Sequence, residues 1–434
     1  MDPTFIIRAR HLIPQPGEEI DNGAVGVHGC RIVAVGTAPH VRRRLSGPMH
    51  DLGDAVLLPG LINAHTHLEL TDLAGGMKPA DTFCHWLRQL GQDVVRWKLE
   101  DRLLLRRRGR FWHSTIHAIA KCLAAGTTTV GDISNSGASF HVLCHGPLRS
   151  VVYREVLELR TRSHRRAIRR LRRRLLGRPR TAWMTPGLSP HAPYSVSMAL
   201  YRHCALLAGE LNAPLTTHLH ETPEEIEAFL DGTGELRRVM GYFMRRPDAG
   251  RTPGRPLAVL DGMGAITHRT LLAHCNYLDA SDLAMLDDRK PSVVFCPRSH
   301  AFFGHERHPV RRLLDLGIHV ALGTDSLAST ESLSVLDEMR FLMESRDDLS
   351  PQEILAMATL HGARALELDG RVGRLAPGFE ADVTVLGTPV RCPRAHEAVL
   401  HPGAAPMLTI VRGRVHDVAG VLGPAPSRVV RDSS

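Results

Sequence analysis

The chain has 434 residues, 43% of them hydrophobic, and a formal charge of +9. That length allows one large domain plus a small one, or two to three domains, and the apolar fraction is ordinary for a globular protein. No apolar run approaches the roughly 18 residues of a membrane span, which argues against a membrane protein.

The positive charge is almost all arginine: only Lys78, Lys98, Lys121 and Lys290 are lysines. So lopsided a ratio reads as coding bias, and a nucleic-acid partner is not expected from the charge. Eight cysteines are scattered with no Cys-x-x-Cys pair, against both a disulfide framework and a zinc knuckle. Met1-Asp2-Pro3-Thr4 carries no basic region followed by an apolar core, so a reducing cytoplasm is the expected compartment.

Residues 1–58 read as short strands: Phe5-Ile6-Ile7, Ala24-Val25-Gly26-Val27 and Arg31-Ile32-Val33-Ala34-Val35-Gly36, with turn residues between them. Residues 373–434 match them, with strand-like runs at Glu380-Ala381-Asp382-Val383-Thr384-Val385-Leu386 and Met407-Leu408-Thr409-Ile410-Val411-Arg412-Gly413. Two β segments at opposite ends of a chain can join into one small domain. Between them, over 59–372, apolar strands ending near His65, Asp132, Glu155, Ser189, His218, His274, Cys296 and Asp325 alternate with helical stretches. Eight such units predict an α/β fold, a (β/α)8 barrel with a composite β-sandwich domain built from the two ends. Chemistry in that fold sits at the C-terminal ends of the strands.

The first barrel strand runs into Pro59-Gly60-Leu61-Ile62-Asn63-Ala64-His65-Thr66-His67. Side chains two apart on a strand share a face, so His65 and His67 can reach one metal ion. Imidazole suits zinc and iron. Strand five ends in His218-Leu219-His220-Glu221-Thr222, strand six in Ala273-His274-Cys275, and strand eight in Gly323-Thr324-Asp325-Ser326. Four strand ends finishing in metal-competent or titratable residues point to one site.

Two stretches have competing readings. Arg160 to Arg180 places Ile168, Leu171 and Leu175 at helical spacing among arginines, as expected for the solvated outer face of a barrel helix. It lacks the interleaved aromatics of a single-strand binder. Asp231 to Pro256, rich in glycine, arginine and proline, reads as a loop insertion near the barrel mouth, a lid or a tolerated insertion.

These motifs, with Pro190-His191-Ala192-Pro193-Tyr194 and Gly373-Arg374-Leu375-Ala376-Pro377-Gly378, resemble the amidohydrolase superfamily in its chlorohydrolase and nucleobase-deaminase branch. The resemblance implies a hydrolytic metal site. By it, His65, His67, His218 and Asp325 match the metal ligands, Glu221 the proton shuttle, and His274 the residue orienting the attacking water or the substrate. His220 competes with His218, and the spacing to Glu221 favours His218. Two-metal members bridge their ions through a strand-four lysine; Thr181 to Ser189 has none, so one divalent ion is expected, zinc first and ferrous iron second.

The expected reaction is hydrolytic removal of the exocyclic amine of a purine-like base or nucleoside, of aminodeoxyfutalosine, guanine or adenosine type. A metal-activated water attacks an sp² ring carbon, Asp325 takes its proton, and Glu221 protonates the adjacent ring nitrogen. The alternative is a chlorohydrolase or imidazolone-type cyclic amide hydrolase using the same site. Trp86 is a candidate for stacking on the ring, and His191 for a substrate contact after strand four. Arg298 and His300, after strand seven, are candidates for an anionic substrate group. The partner is a small heterocycle, with no membrane or nucleic acid, and a homo-oligomer is left open.

Overall fold

A computed structural model describes residues 4–74, 82–104, 108–157, 164–177, 180–244, 254–388 and 392–420. The N-terminal strands are β1 (Thr4–Leu12), β2 (Ile20–His28), β3 (Arg31–Thr37), β4 (Met49–Asp51) and β5 (Ala55–Pro59). The barrel strands follow: β6 (Leu61–Thr66), β7 (Thr127–Ser134), β8 (Arg149–Val156), β9 (Met184–Pro190), β10 (Leu215–Leu219), β11 (Thr270–His274), β12 (Ser292–Phe295) and β13 (Val320–Leu322). The C-terminal strands are β14 (Val383–Gly387), β15 (Ala405–Val411) and β16 (Arg414–Asp417).

Strands β6 to β13 pair in chain order, all parallel. A bridge between Thr66 and Asp325 brings the last strand back to the first. The seam is tightened by Asn63, whose amide donates to Thr324 Oγ1 at 2.7 Å and whose carbonyl accepts the Thr324 N–H at 3.1 Å. Gly323 is required there: a Cβ would stand 2.9 Å from both the Cβ and the carbonyl oxygen of His65. Every residue of β6, β7, β10, β11, β12 and β13 is buried, as expected of strands sandwiched between barrel interior and helices.

The two chain ends meet in one sheet of order β16-β15-β14-β5-β1-β2-β3, with β4 beside β1. The joint is antiparallel pairing of β14 with β5, Val383 opposite Pro59. Because β5 runs straight into β6, this sheet is tied to the foot of the barrel. Arg149, at the start of β8, donates to Asp382 at 2.8 and 2.9 Å and to Glu380 at 2.7 Å, fully buried.

The arginine-rich stretch is the helix His164–Leu176, with Leu171 and Leu175 buried in the main core and Arg166, Arg169, Arg170, Arg172 and Arg173 exposed. This is the solvated outer helix. The expected loop after strand five needs correction: Gly234–Met244 is helical, and Leu236, Val239 and Met240 pack with Phe83, Cys84 and Trp86. The remainder of that insertion, 245–253, lies outside the described residues.

Candidate active site

Four strand ends deliver the cluster. His65 and His67 leave β6, His218 lies in β10, His274 closes β11, and Asp325 follows β13. His65 Nε2 is 3.7 Å and His67 Nε2 3.5 Å from Asp325 Oδ1. The rings of His65 and His218 are 4.9 Å apart, those of His218 and His274 5.4 Å. Ligand atoms of His65, His67 and Asp325, of His65, His218 and His274, and of Glu221, His274 and Asp325 each lie within 4.8 Å of one another.

The donor chemistry fits a divalent cation. Both ring nitrogens of His65 and Nε2 of His274 are buried without a hydrogen-bond partner, an expensive state unless an ion takes the lone pairs. Burial drives the His67 pKa down to about 4, aided by the His65 charge and opposed by Asp325. Burial also takes His274 down to about 3, and His218 well below its usual value. The imidazoles are therefore neutral and available. Burial opposes ionisation of Asp325, but the adjoining His65, His67 and His274 imidazoles outweigh it and hold its carboxyl well below the usual carboxylate range. Three imidazoles and a carboxylate are a donor set for zinc or iron.

The surroundings aim these groups. The His218 Nδ1–H donates to the His191 carbonyl at 3.0 Å, which leaves Nε2 facing the cluster. Ser299 and Ser329 hydroxyls each donate to Asp325 Oδ2 at 2.9 Å, so Oδ1 is the oxygen turned toward the histidines. Glu221 Oε1 lies 3.6 Å from His274 Nε2. Burial, then the charges of Asp325 and Glu225, push its pKa well above the normal range, toward the protonated form. Its backbone is pinned: the Glu225 carboxylate accepts the Glu221 and His220 N–H groups at 2.9 and 3.1 Å, and Asn276 donates to the Glu221 carbonyl at 2.9 Å.

His220 does not join the cluster. The strand ends at Leu219, and His220 has φ 51°, so the alternation that would put it beside His218 is broken. Its ring turns to Asp282, with Nδ1 at 3.5 Å.

The substrate-contact candidates divide. His191 stands against His218, ring centroids 4.7 Å apart. Trp86 is buried in an aromatic cap with Phe83 and Phe303, its indole N–H donating to the Ala328 carbonyl at 3.1 Å. Ala192, Tyr194 and Ala328 join that cap from loops at the strand C-terminal ends, which puts Trp86 over the barrel mouth.

Arg298 requires correction. Its Nε donates to Glu338 at 2.8 Å and Nη2 to the Ser332 carbonyl and hydroxyl at 2.9 and 3.0 Å, so the Nε–Nη2 edge is already taken by protein. His300 also turns away, donating to the Glu306 carbonyl at 2.7 Å and grouping with His305 and His308. Sequence reasoning missed Ser299 and Ser329. Ser299 stood inside the motif singled out for Arg298 and His300.

The sequence profile of the amidohydrolase family matches residues 56–416. Among curated relatives, a 5-methylthioadenosine/S-adenosylhomocysteine deaminase of Syntrophobacter fumaroxidans is 31% identical over 390 residues, 85% of this chain and 81% of that one. Among solved structures, an aminofutalosine deaminase of Helicobacter pylori superposes with TM-score 0.81 at 24% identity, covering 95% of this chain and 99% of that one. A zinc-bound adenosine deaminase of Xanthomonas campestris gives 0.79 at 24%, covering 96% of each. With the profile spanning most of the sequence and the closed barrel carrying its histidines at the strand ends, the chain belongs to the amidohydrolase family.

Proposed function

We propose that this protein is a mononuclear metal-dependent deaminase that hydrolyses the exocyclic amine from a purine-like base or nucleoside. The observation that carries the reading is a buried Glu221, 3.6 Å from His274, next to the His65, His67, His218 and Asp325 set. A divalent ion held by those four residues would supply a water acidified toward pKa ~7 and thus a nucleophile at neutral pH.

The chain's residues do the rest. Asp325 accepts a proton at Oδ1, because Oδ2 is saturated by Ser299 and Ser329. His274 presents Nε2, free of protein donors, toward the reacting atoms. Glu221 gives its proton to the ring nitrogen adjacent to the attacked carbon, which makes that carbon electrophilic. Asp325 then returns its proton to the amine, which leaves as ammonia, while the Glu221 carboxylate recovers a proton from the new hydroxyl as the carbonyl forms. Such general acid–base work is worth roughly 10²–10⁴ in rate.

The absence of a lysine from β9 supports one ion rather than two. The name of the 31% identical relative favours an aminated purine nucleoside, and the zinc-bound relative favours zinc over iron. All eight cysteines are unpaired, which supports the cytoplasm. The test is ammonia release by the metal-loaded protein from a panel of aminopurines, aminated nucleosides and chlorinated triazines. Ammonia from an aminated purine supports the reading. Chloride release from a triazine without ammonia from any purine would replace it with the chlorohydrolase alternative.

A further inference from the structure

Three strand ends around the site turn through left-handed backbone at residues other than glycine. The φ angles are 51° at His220, 73° at His274 and 58° at Asp325. An L residue seldom adopts this conformation, and it persists only where the surrounding bonds hold it. Two of the three turns have an evident fastening. The Glu225 carboxylate accepts the His220 N–H at 3.1 Å, and the Thr66 hydroxyl donates to the Asp325 carbonyl at 3.0 Å. The turn at His274 is the most demanding, because Cys275 follows with φ 54°, a second left-handed residue in succession.

The fastening there is His308, which lies between the helices Pro297–Phe302 and Val310–Asp315. Its Nε2 is 2.8 Å from the His274 carbonyl oxygen. A carbonyl only accepts, so Nε2 carries the proton and the ring donates. The buried ring lies flat on Phe295, with centroids 3.9 Å apart and planes 13° from parallel. The His308 carbonyl accepts from Arg346 at 2.9 Å, and the same guanidinium is paired with Asp348 at 2.8 Å. The donor is thus held by its ring and by its backbone. Packing alone does not call for histidine here. Nδ1 is buried with no partner among the described residues, a cost that an apolar residue on Phe295 would avoid.

The bond bears on the chemistry through the residues it fixes. His274 Nε2 lies 3.6 Å from Glu221 Oε1. Two residues on, the Asn276 side chain donates to the Glu221 carbonyl at 2.9 Å. Relaxation of the turn would carry the His274 ring away from Glu221 and pull on the Glu221 backbone as well. A misplacement of 1 Å at such a site can cost on the order of 10² in rate.

We propose that His308 is a positioning residue for the hydrolytic reaction: its Nε2–H locks the left-handed turn that aims His274 at the reacting atoms. This deepens the deaminase reading and rests on it.

The experiment separates the donor from the ring. His308→Phe keeps a ring on Phe295 and removes the donor. His308→Gln gives up the ring and keeps an N–H of similar reach. For each, kcat and KM are measured for ammonia release from an aminated purine nucleoside, with zinc content determined on the same preparation. Crystal structures of zinc-loaded wild type and His308→Phe give the place of His274. In His308→Phe the expected result is a fall in kcat of about tenfold or more with zinc retained, while KM moves by less than about threefold. In its crystal structure His274 leaves the left-handed region or carries its ring about 1 Å or more from the wild-type place. His308→Gln keeps kcat within about threefold of wild type.

The inference is overturned if His308→Phe keeps its kcat, if the two variants lose kcat alike, if zinc is lost with activity, or if His274 stands unmoved in the crystal. If His308→Phe fails to fold, His308→Leu, which also lacks the donor, carries the same comparison. Failure of both to fold would make the bond a prop of the fold and overturn the inference too. Failure of the deaminase reading shows separately, as no ammonia from wild type with any aminated purine; the crystal structures then decide the role of His308 by themselves.

Discussion

Arg149→Met tests whether the two chain ends are locked to the barrel by charge. Arg149 is 2% exposed and makes three hydrogen bonds to Glu380 and Asp382. Burial opposes ionisation of Glu380, yet the Arg149 and Arg371 charges and hydrogen bonds keep its pKa below the usual value. With Arg149 gone, Glu380 still has Arg371 and Arg412 at 2.7 and 2.6 Å. Among the described residues, the Asp382 carboxylate then keeps only the Arg412 backbone N–H, at 2.8 Å. One buried carboxylate is thus stranded, and breaking a buried pair this way costs about 3–5 kcal/mol.

The assay is urea unfolding of the metal-loaded chain followed by tryptophan fluorescence. Trp183 is a reporter in place, with the Arg412 and Arg414 guanidinium groups 5.3 and 4.8 Å from its ring. Arg149 opens β8 and Glu155 lies six residues further along, on the order of 20 Å away at the strand rise. Turnover per folded, metal-loaded molecule is therefore unchanged. Asp382→Asn added to Arg149→Met removes the stranded charge and recovers at least ~1.5 kcal/mol. A loss below ~1 kcal/mol in the single variant, or no recovery in the double, would refute the reasoning.

Three other outcomes are expected. Ser299→Ala with Ser329→Ala frees Asp325 Oδ2, so metal affinity measured by chelator competition falls about 10–100-fold; an unchanged affinity would show that the two hydroxyls do not orient the ligand. Burial, then the Glu69 charge, raises the Asp132 pKa to about 7. The folded chain therefore keeps a proton that the unfolded chain has lost above pH ~4, and stability falls as pH rises from ~4 to ~7. Asp132→Asn should flatten that part of the melting-temperature profile, and an unchanged slope would contradict the assignment. Arg298→Ala leaves Glu338 buried without its guanidinium partner, keeping the residue-298 backbone N–H at 2.9 Å; burial already raises this group to about 7 against the pull of Arg298. It should lower stability by about 3 kcal/mol, more at pH 8 than at pH 5, with KM for carboxylate-bearing and carboxylate-free substrates moved alike; a selective rise for the former would restore Arg298 as an anion receptor.

The barrel and the strand-end cluster were legible because they are local facts. Each strand is a short apolar run, and each candidate ligand is the residue where that run meets the mouth. His220 was harder: period-two alternation put it beside His218, but its left-handed backbone turns the ring to Asp282. Arg298 misled because its partner Glu338 lies 40 residues further on, in the helix Val335–Ser345, and no spacing rule reaches that far. Ser329 was invisible for a similar reason. It meets Asp325 only because the chain folds back after β13. The helix Gly234–Met244 was hidden among glycines and arginines, and its apolar residues gain meaning only once Phe83 and Trp86 are above the mouth.

The central claim is that Glu221 moves a proton while His65, His67, His218 and Asp325 hold the metal. Glu221→Gln keeps the shape of the side chain but cannot deliver a proton. Metal content and ammonia release are measured on one preparation, with His218→Ala beside it. The account predicts one ion per chain in Glu221→Gln and a fall in turnover of at least ~10², with metal and activity lost together in His218→Ala. Near-normal ammonia release from Glu221→Gln with its metal bound would contradict it and move the acid to His274 or His191.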